Sequence, residues 1–466
     1  MKKYRLLLVN PKNNYRSGIY HTNEYSVPPM NLGVVAALTP DNWEIKILDE
    51  NFLDFELEQA DLVGLTALTS QITRAYEIAT ICRKAGIKTV IGGIHASMMP
   101  DEALQFVDVV VKGEAESTWK EFIHDFEHGN LSKIYEGSLR PMSESPSPRI
   151  DLYPDYYALG TLQTTRGCPM KCDFCSVHTF NGRKYRYKSV ETVIEEYKAI
   201  PHDKIYIVDD DFYGYGKYHA ERARKICKGF IESGVKKEWY TFTSMDLAKD
   251  PETLKLMFDA GCRLVLLGIE SELTNQLEAS EKITNLKVGV ENYEKVYDAF
   301  HKAGIAVLGS FIFGLDSDTP ETIRGRTNYF LNSGVDCIQA GMLTPLPGTK
   351  TYFDMLEQNR IIKNDFPKDW ERFTFFNNVI KPKNMTHEEF TQIMDEEWER
   401  IYGTKTIKRK FLKTLKSTKN VHAAGWALST NIQYRNTVFE TKKEFLKYTD
   451  FIKQLISFPS NSQPTL

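Results

Sequence analysis

The chain has 466 residues, 42% hydrophobic and 26% charged, with a formal net charge of −3. That length predicts two or three domains, and the near-neutral balance excludes a general pull toward nucleic acid. The apolar run Leu6–Val9 is too short for a signal peptide and no later stretch could span a membrane, so a cytoplasmic protein is expected.

In residues 1–135, short apolar runs alternate with helical patterns. Strands are predicted at Tyr4–Val9, Trp43–Leu48, Leu62–Thr66, Thr89–Gly93 and Val107–Val111, and helices near 31–39, 71–86 and 100–106. Such alternation reads as a doubly wound parallel sheet, which binds ligands at the carboxyl ends of its strands. The fourth strand runs into Gly92-Gly93-Ile94-His95 and the fifth into Lys112-Gly113-Glu114-Ala115-Glu116. Glycines there either make ordinary tight turns or let a large planar ligand approach the backbone. Residues 136–160, rich in proline and serine, read as a linker.

A second alternation fills residues 161–355. Strands are predicted at Leu162–Thr165, Lys204–Val208, Trp239–Thr243, Leu264–Ile269, Ile305–Phe313 and Cys337–Leu343, with a helix over Ser189–Ala199. Six β/α units make a partial barrel, with ligands again at the strand ends. Directly after its first strand come Cys168, Cys172 and Cys175, three cysteines in eight residues at C-x3-C-x2-C spacing. Three thiolates on one loop can hold three irons of a [4Fe–4S] cluster and leave the fourth iron open. Adding His178 gives a Cys3His pattern that a structural zinc ion could also use. The remaining cysteines, Cys82, Cys227, Cys262 and Cys337, sit in apolar contexts and read as reduced core thiols. The second strand of this region ends in Asp209-Asp210-Asp211, carboxylates that need a cationic partner, a ligand, or solvent in a capping turn.

Residues 356–466 are mostly helical in pattern, at Thr386–Ile401, Thr404–Lys416 and Thr441–Ile456. The stretch 404–419 is basic on one side and apolar on the other. It suits either a packed helix with a solvated face or peripheral contact with an anionic membrane.

Taken together, the cysteine loop, Phe174 before its last cysteine, and the strand ends Gly268-Ile269-Glu270-Ser271, Phe313-Gly314-Leu315-Asp316 and Thr344-Pro345-Leu346-Pro347-Gly348 resemble the radical S-adenosylmethionine (SAM) superfamily. The first domain, with Asn10-Pro11, Pro28–Gly33, Thr66–Ser70 and its two glycine turns, resembles the cobalamin-binding domain of the B12-dependent branch of that superfamily. This branch includes hopanoid methylases and the oxygen-independent porphyrin-ester cyclase. The resemblance implies a [4Fe–4S] cluster on Cys168, Cys172 and Cys175, with SAM on the open iron near Phe174, Asp209, Asp210 and Glu270. It implies cobalamin near Asn10, Thr66, Thr69, Gly92, Gly93, His95, Gly113 and Glu114. The Asp-x-His-x-x-Gly motif that supplies a cobalt-ligating histidine in other cobalamin proteins is missing from the sequence, which implies cobalamin without a protein histidine beneath the metal.

The implied activity is methylation of an unactivated carbon in a small molecule or lipid. A 5′-deoxyadenosyl radical from SAM would abstract hydrogen and methylcobalamin would supply the methyl group, with electrons from a donor such as flavodoxin or ferredoxin. The alternatives are a cyclase, rearrangement or carbon–carbon coupling enzyme with the same cofactors, and a zinc-stabilised cobalamin sensor. Substrate choice is expected to reside in residues 356–466.

Overall fold

The computed structural model describes residues 3–16, 26–443 and 445–456. The first sheet holds β1 (Tyr4–Asn10), β2 (Trp43–Asp49), β3 (Leu62–Thr66), β4 (Lys88–Gly92), β5 (Val109–Lys112) and β6 (Ile134–Glu136). All are parallel, in the order β2-β1-β3-β4-β5-β6. The apolar runs of β3 and β5 are buried because helices cover both faces, which is why they do not alternate with polar residues. The order reverses between β1 and β3, and a crevice opens there at the strand ends. The predicted strands are present with small shifts, while β6 was not expected. It adds three residues at the sheet edge, of which Tyr135 alone is buried.

A second parallel sheet follows. Its strands are β7 (Gly160–Leu162), β10 (Lys204–Ile207), β11 (Glu238–Thr243), β12 (Cys262–Glu270), β13 (Ala306–Phe313) and β14 (Cys337–Met342), in the order β14-β13-β12-β11-β10-β7. Between β7 and β10 a short antiparallel ladder of β8 (Thr165–Arg166) and β9 (Arg186–Tyr187) frames the cysteine loop. This is the six-unit open barrel predicted from the alternation. Local signals start its helices: Ser189 accepts a hydrogen bond from the Thr192 N–H, and Thr319 with Thr322 forms a capping box ahead of Pro320.

The edge strand β14 is covered by the helix His387–Tyr402. Trp398 Nε1 donates to the Ala340 carbonyl, and the Tyr402 hydroxyl donates to Ile338 O while accepting from the Ala340 N–H. The helix Val421–Phe439 packs against β12, β13 and β14 and is buried on nearly every side.

Two segments outside the first domain pack onto it. The linker is not a free tether: the Tyr153 hydroxyl donates to Pro29 O and accepts from the Gly33 N–H, and Tyr157 donates to Asp49. Residues 343–380 do not stand apart either, since Leu343, Tyr352, Trp370 and Val379 share one core with Val9, Ile72 and Ile91 of the first domain.

The basic helix Thr404–Thr418 is packed against the barrel partly through its own basic side chains. Lys410 is buried and its ammonium donates to Phe330 O, Ser333 O and Val335 O at 2.6, 3.1 and 2.7 Å. Lys413 and Arg409 reach neighbouring carbonyls at the same place. Burial, reinforced by Lys413, pulls the Lys410 pKa down to about 7, and the three side chains supply donors at the end of the helix Pro320–Asn332, where helix carbonyls lack partners. No helix among the described residues is long and apolar enough to cross a membrane.

Candidate active site

The cysteine loop leaves β8 through Gly167, whose φ of +93° is a conformation that side chains rarely adopt. The Cys168 N–H donates to Gly182 O, and the Cys175 N–H turns back to Cys172 O. All three thiols line a cavity of about 460 Å³ at the carboxyl ends of the barrel strands. Burial pushes each thiol upward, Cys175 to about 12, so these side chains become thiolates only when a metal centre takes the place of their protons. His178 lines the same cavity. Yet among the described residues no three His, Cys, Asp or Glu side chains converge as a single-ion site requires. Three thiols of one loop lining one cavity suit three irons of a [4Fe–4S] cluster with the fourth iron open.

The acidic run after β10 splits into three roles. Asp210 faces the cavity while accepting from the Gly167 N–H and Asn181 Nδ2. Asp209 does not face it. Its two oxygens accept from the Thr164 N–H, the Thr164 hydroxyl and the Thr165 N–H at 2.6, 2.6 and 2.9 Å. It is a fully buried brace for the strand leading to the cysteines, and its expected SAM contact is corrected accordingly. Asp211, the last of the acidic run, lines the cavity; burial pushes its carboxyl up to about 6. On β12, Glu270 faces the cavity from a register shift and a φ of +60°, paired with Lys282 at 2.7 Å. Phe174 lines the cavity as expected, with the Lys282 ammonium 5.9 Å from its ring centre.

The first domain's expected contacts also divide. Asn10 and Thr66 end β1 and β3 at the crevice, with Asn10 Nδ2 donating to Asp49 and the Thr66 hydroxyl accepting from Asn31 Nδ2. Gly92 and Gly93 end β4 there. A Cβ on Gly93, where φ is +94°, would meet Ala67 O at 3.0 Å, while Gly92 has no atom nearer than 3.7 Å. Between these loops Leu68 is 57% exposed, an apolar side chain the protein leaves bare.

His95 and Thr69 are placed differently from the expectation. His95 is buried, Nδ1 faces the Thr69 hydroxyl, Nε2 faces Glu102, and Trp370 packs edge-on at 5.0 Å. Burial would push the Glu102 carboxyl up, but bonds from His95, Trp370 and Tyr76 hold it below its usual value. This network joins the first domain to the 343–380 segment, so neither nitrogen of His95 is free for cobalt or corrin.

Gly113 and Glu114 are corrected too. A Cβ on Gly113 would stand 2.8 Å from Gly137 O, so the glycine serves the chain itself. Glu114 is buried and binds Arg186 Nη2 at 2.6 Å and Arg166 Nη1 at 3.3 Å; Glu116 binds Arg166 at 2.6 Å. Arg166 immediately precedes Gly167. The β5 loop of the first domain therefore grips the base of the cysteine loop, and no motif in the sequence marks that.

Fold and site together define a class: an iron–sulfur enzyme whose open barrel is clamped to a ligand-binding parallel α/β domain. Comparison with known proteins agrees. A Radical SAM superfamily model matches residues 162–329 and a B12 binding domain model matches residues 16–123. The chain is 31% identical over 386 residues to bacteriochlorophyllide d C-8(2)-methyltransferase of Chlorobaculum tepidum, covering 77% of this chain and 82% of that one. It is 28% identical over 420 residues to the C-12(1)-methyltransferase of the same organism, covering 86% and 88%. Its fold matches the cobalamin-dependent SAM radical enzyme OxsB with a TM-score of 0.67 at 14% identity, covering 98% of this chain and 82% of that chain. The chain belongs to the cobalamin-dependent radical SAM family, enzymes that use a [4Fe–4S] cluster, SAM and cobalamin. The residues present fit those groups. Three thiols line one cavity, and Gly92, where an added Cβ would meet nothing nearer than 3.7 Å, ends β4 while Leu68 after β3 is exposed.

Proposed function

We propose that this protein is a C-methyltransferase acting on an unactivated carbon of a small, largely apolar molecule. The observation that carries this reading is the shared cavity. At one end are the three thiols; its walls are Met170, Phe242, Leu266, Ile312, Met342 and Phe375. Its charged groups are Asp210, Asp211, Glu270 and Lys282, and amide, hydroxyl and imidazole groups such as Gln339, Asn285, Ser244, Tyr215 and His178 add polar contacts within a mostly apolar lining. A cavity of this kind excludes water and orients an apolar substrate by a few polar contacts. When bound, the cluster, SAM and cobalamin together supply the electron, the hydrogen-abstracting species and the methyl group.

The chain's own residues do the rest. Cys168, Cys172 and Cys175 hold the cluster, and Asp210, Glu270 and Phe174 border the position of SAM. Asn10, Thr66, Gly92, Gly93 and Leu68 form the cobalamin face, and no histidine ligand reaches cobalt from His95. Residues 1–135 act as the cobalamin domain and 161–355 as the cluster domain. Residues 356–466 close the cavity, with Phe375 contributing to substrate choice. The similarity to bacteriochlorophyllide methyltransferases supports a flat, largely apolar substrate such as a tetrapyrrole. An external low-potential electron carrier completes the system.

The test is anaerobic turnover of the reconstituted protein with SAM bearing a deuterated methyl group, against tetrapyrrole and polycyclic lipid candidates. Label in the product supports methyl transfer. Deoxyadenosine with an altered but unlabelled product would replace it with cyclisation or rearrangement.

A further inference from the structure

Lys282 follows the helix Thr274–Ala279 and directs its ammonium beneath the cysteine loop. The side chain is 16% exposed, its Nζ is 2.7 Å from Glu270 Oε1, and it lies over the ring of Phe174, the residue between the second and third cysteines. The backbone makes room for this pair. At Gly268 a Cβ would stand 2.8 Å from Lys282 Nζ and 2.7 Å from Glu270 Oε1. Asn285 fixes the strand beneath by donating to the carbonyls of Gly268 and Ile269 at 2.9 Å each.

Burial by itself would drive a proton off the ammonium. Glu270 outweighs that effect, and its pKa rises. The ammonium is held by Glu270 in the cavity that all three cysteines line. One carboxylate neutralises it only in part once thiolates replace thiols.

Reduction of a cluster adds one electron and breaks no bond in the protein. In a site of low dielectric a fixed cation nearby stabilises the more negative, reduced form over the oxidised one, and local charge is among the chief determinants of cluster potential. We propose that Lys282 sets the reduction potential of the cluster: its ammonium, fixed by Glu270, favours the reduced state, and Glu270 attenuates that charge. The proposal rests on the assignment of Cys168, Cys172 and Cys175 as cluster ligands.

The test is an anaerobic potentiometric titration of the reconstituted full-length protein without SAM, followed by the electron paramagnetic resonance of the reduced cluster. Lys282→Met is expected to move the midpoint to more negative potential and Glu270→Gln to less negative potential, with Lys282→Arg close to the parent. Opposite shifts are the signature of charge, since general loosening of the loop would move both variants the same way. Equal midpoints in all variants, or shifts of the same sign, would overturn the proposal. So would loss of SAM binding in Lys282→Met with an unmoved midpoint, which would assign the lysine to the co-substrate. Where Lys282→Met does not retain iron, Glu270→Gln against Lys282→Arg decides by the same rule. Failure of the ligand assignment is separate: it would show as undiminished iron in Cys172→Ala.

Discussion

Removing the Glu114 carboxylate tests how the two halves of the molecule are held together. Glu114 accepts from Arg186 through both oxygens, at 2.8 and 2.6 Å, from Arg166 at 3.3 Å and from the Arg140 N–H at 3.0 Å. Its side chain is 5% exposed, so the pairs are shielded from solvent and the usual small value of a surface ion pair does not apply. Glu114→Ala would leave Arg186 buried with carbonyl partners only, a change that costs about 3–5 kcal/mol in comparable buried pairs. Arg166 keeps Glu116, which limits the loss to the Arg186 half of the clamp. The assay is a double-mutant cycle on urea unfolding of the full chain with Glu114→Ala, Arg186→Ala and the double variant. Coupling between the two is expected to be about 1.5 kcal/mol or more, because they share one buried contact. Additivity within about 0.5 kcal/mol would refute the clamp. Hydroxocobalamin affinity per folded molecule should stay near the parent's, since Glu114 faces the cysteine loop and not the ligand face.

Other consequences are open to measurement. Leu68→Asp should weaken hydroxocobalamin binding about 10- to 100-fold, because burying a leucine is worth about 1.5–3 kcal/mol; equilibrium titration reads it. Lys410→Met should destabilise the fold by about 1–3 kcal/mol in denaturant titration, the cost of leaving buried carbonyls without their donor, and leave binding to anionic vesicles unchanged. His301 is buried against Asp336 at 2.8 Å; burial opposes its charge, Asp336 outweighs that, and its pKa is raised. Its contribution is therefore full below the ordinary histidine value of about 6.5 and is lost as pH climbs through the raised value. The melting midpoint should fall as pH rises above about 6.5, and His301→Gln should flatten that slope. Gly268→Ala should lower SAM affinity in equilibrium binding, since the new methyl displaces the Glu270–Lys282 pair.

Much of this was legible in the sequence because both sheets are parallel and buried. Runs such as Leu62–Thr66 and Leu264–Ile269 are apolar throughout, and capping residues such as Thr386 with Glu389 mark where helices begin. The helix Val421–Phe439 was not foreseen as one helix for the same reason that it matters: buried on nearly all sides, it shows no apolar stripe. The site divided similarly. Three cysteines in eight residues declare themselves, and a glycine pair ending β4 marks a ligand face. Glu114 sits in an equally suggestive turn, yet its partners lie 52 and 72 residues away, and only the fold brings them together. Asp209 and Asp210 are neighbours in sequence just beyond the end of β10, yet one turns inward to Thr164 and the other to the cavity. Lys282 belongs to no local pattern. It became visible through its contacts with Glu270 and Phe174.

The most direct test of the central claim is the metal and cobalamin content of protein reconstituted anaerobically with iron, sulfide and hydroxocobalamin, beside Cys172→Ala. The account predicts roughly four irons per chain, lost in the variant, and one cobalamin whose spectrum shows no histidine ligand. One zinc without iron, or four irons without cobalamin, would contradict it.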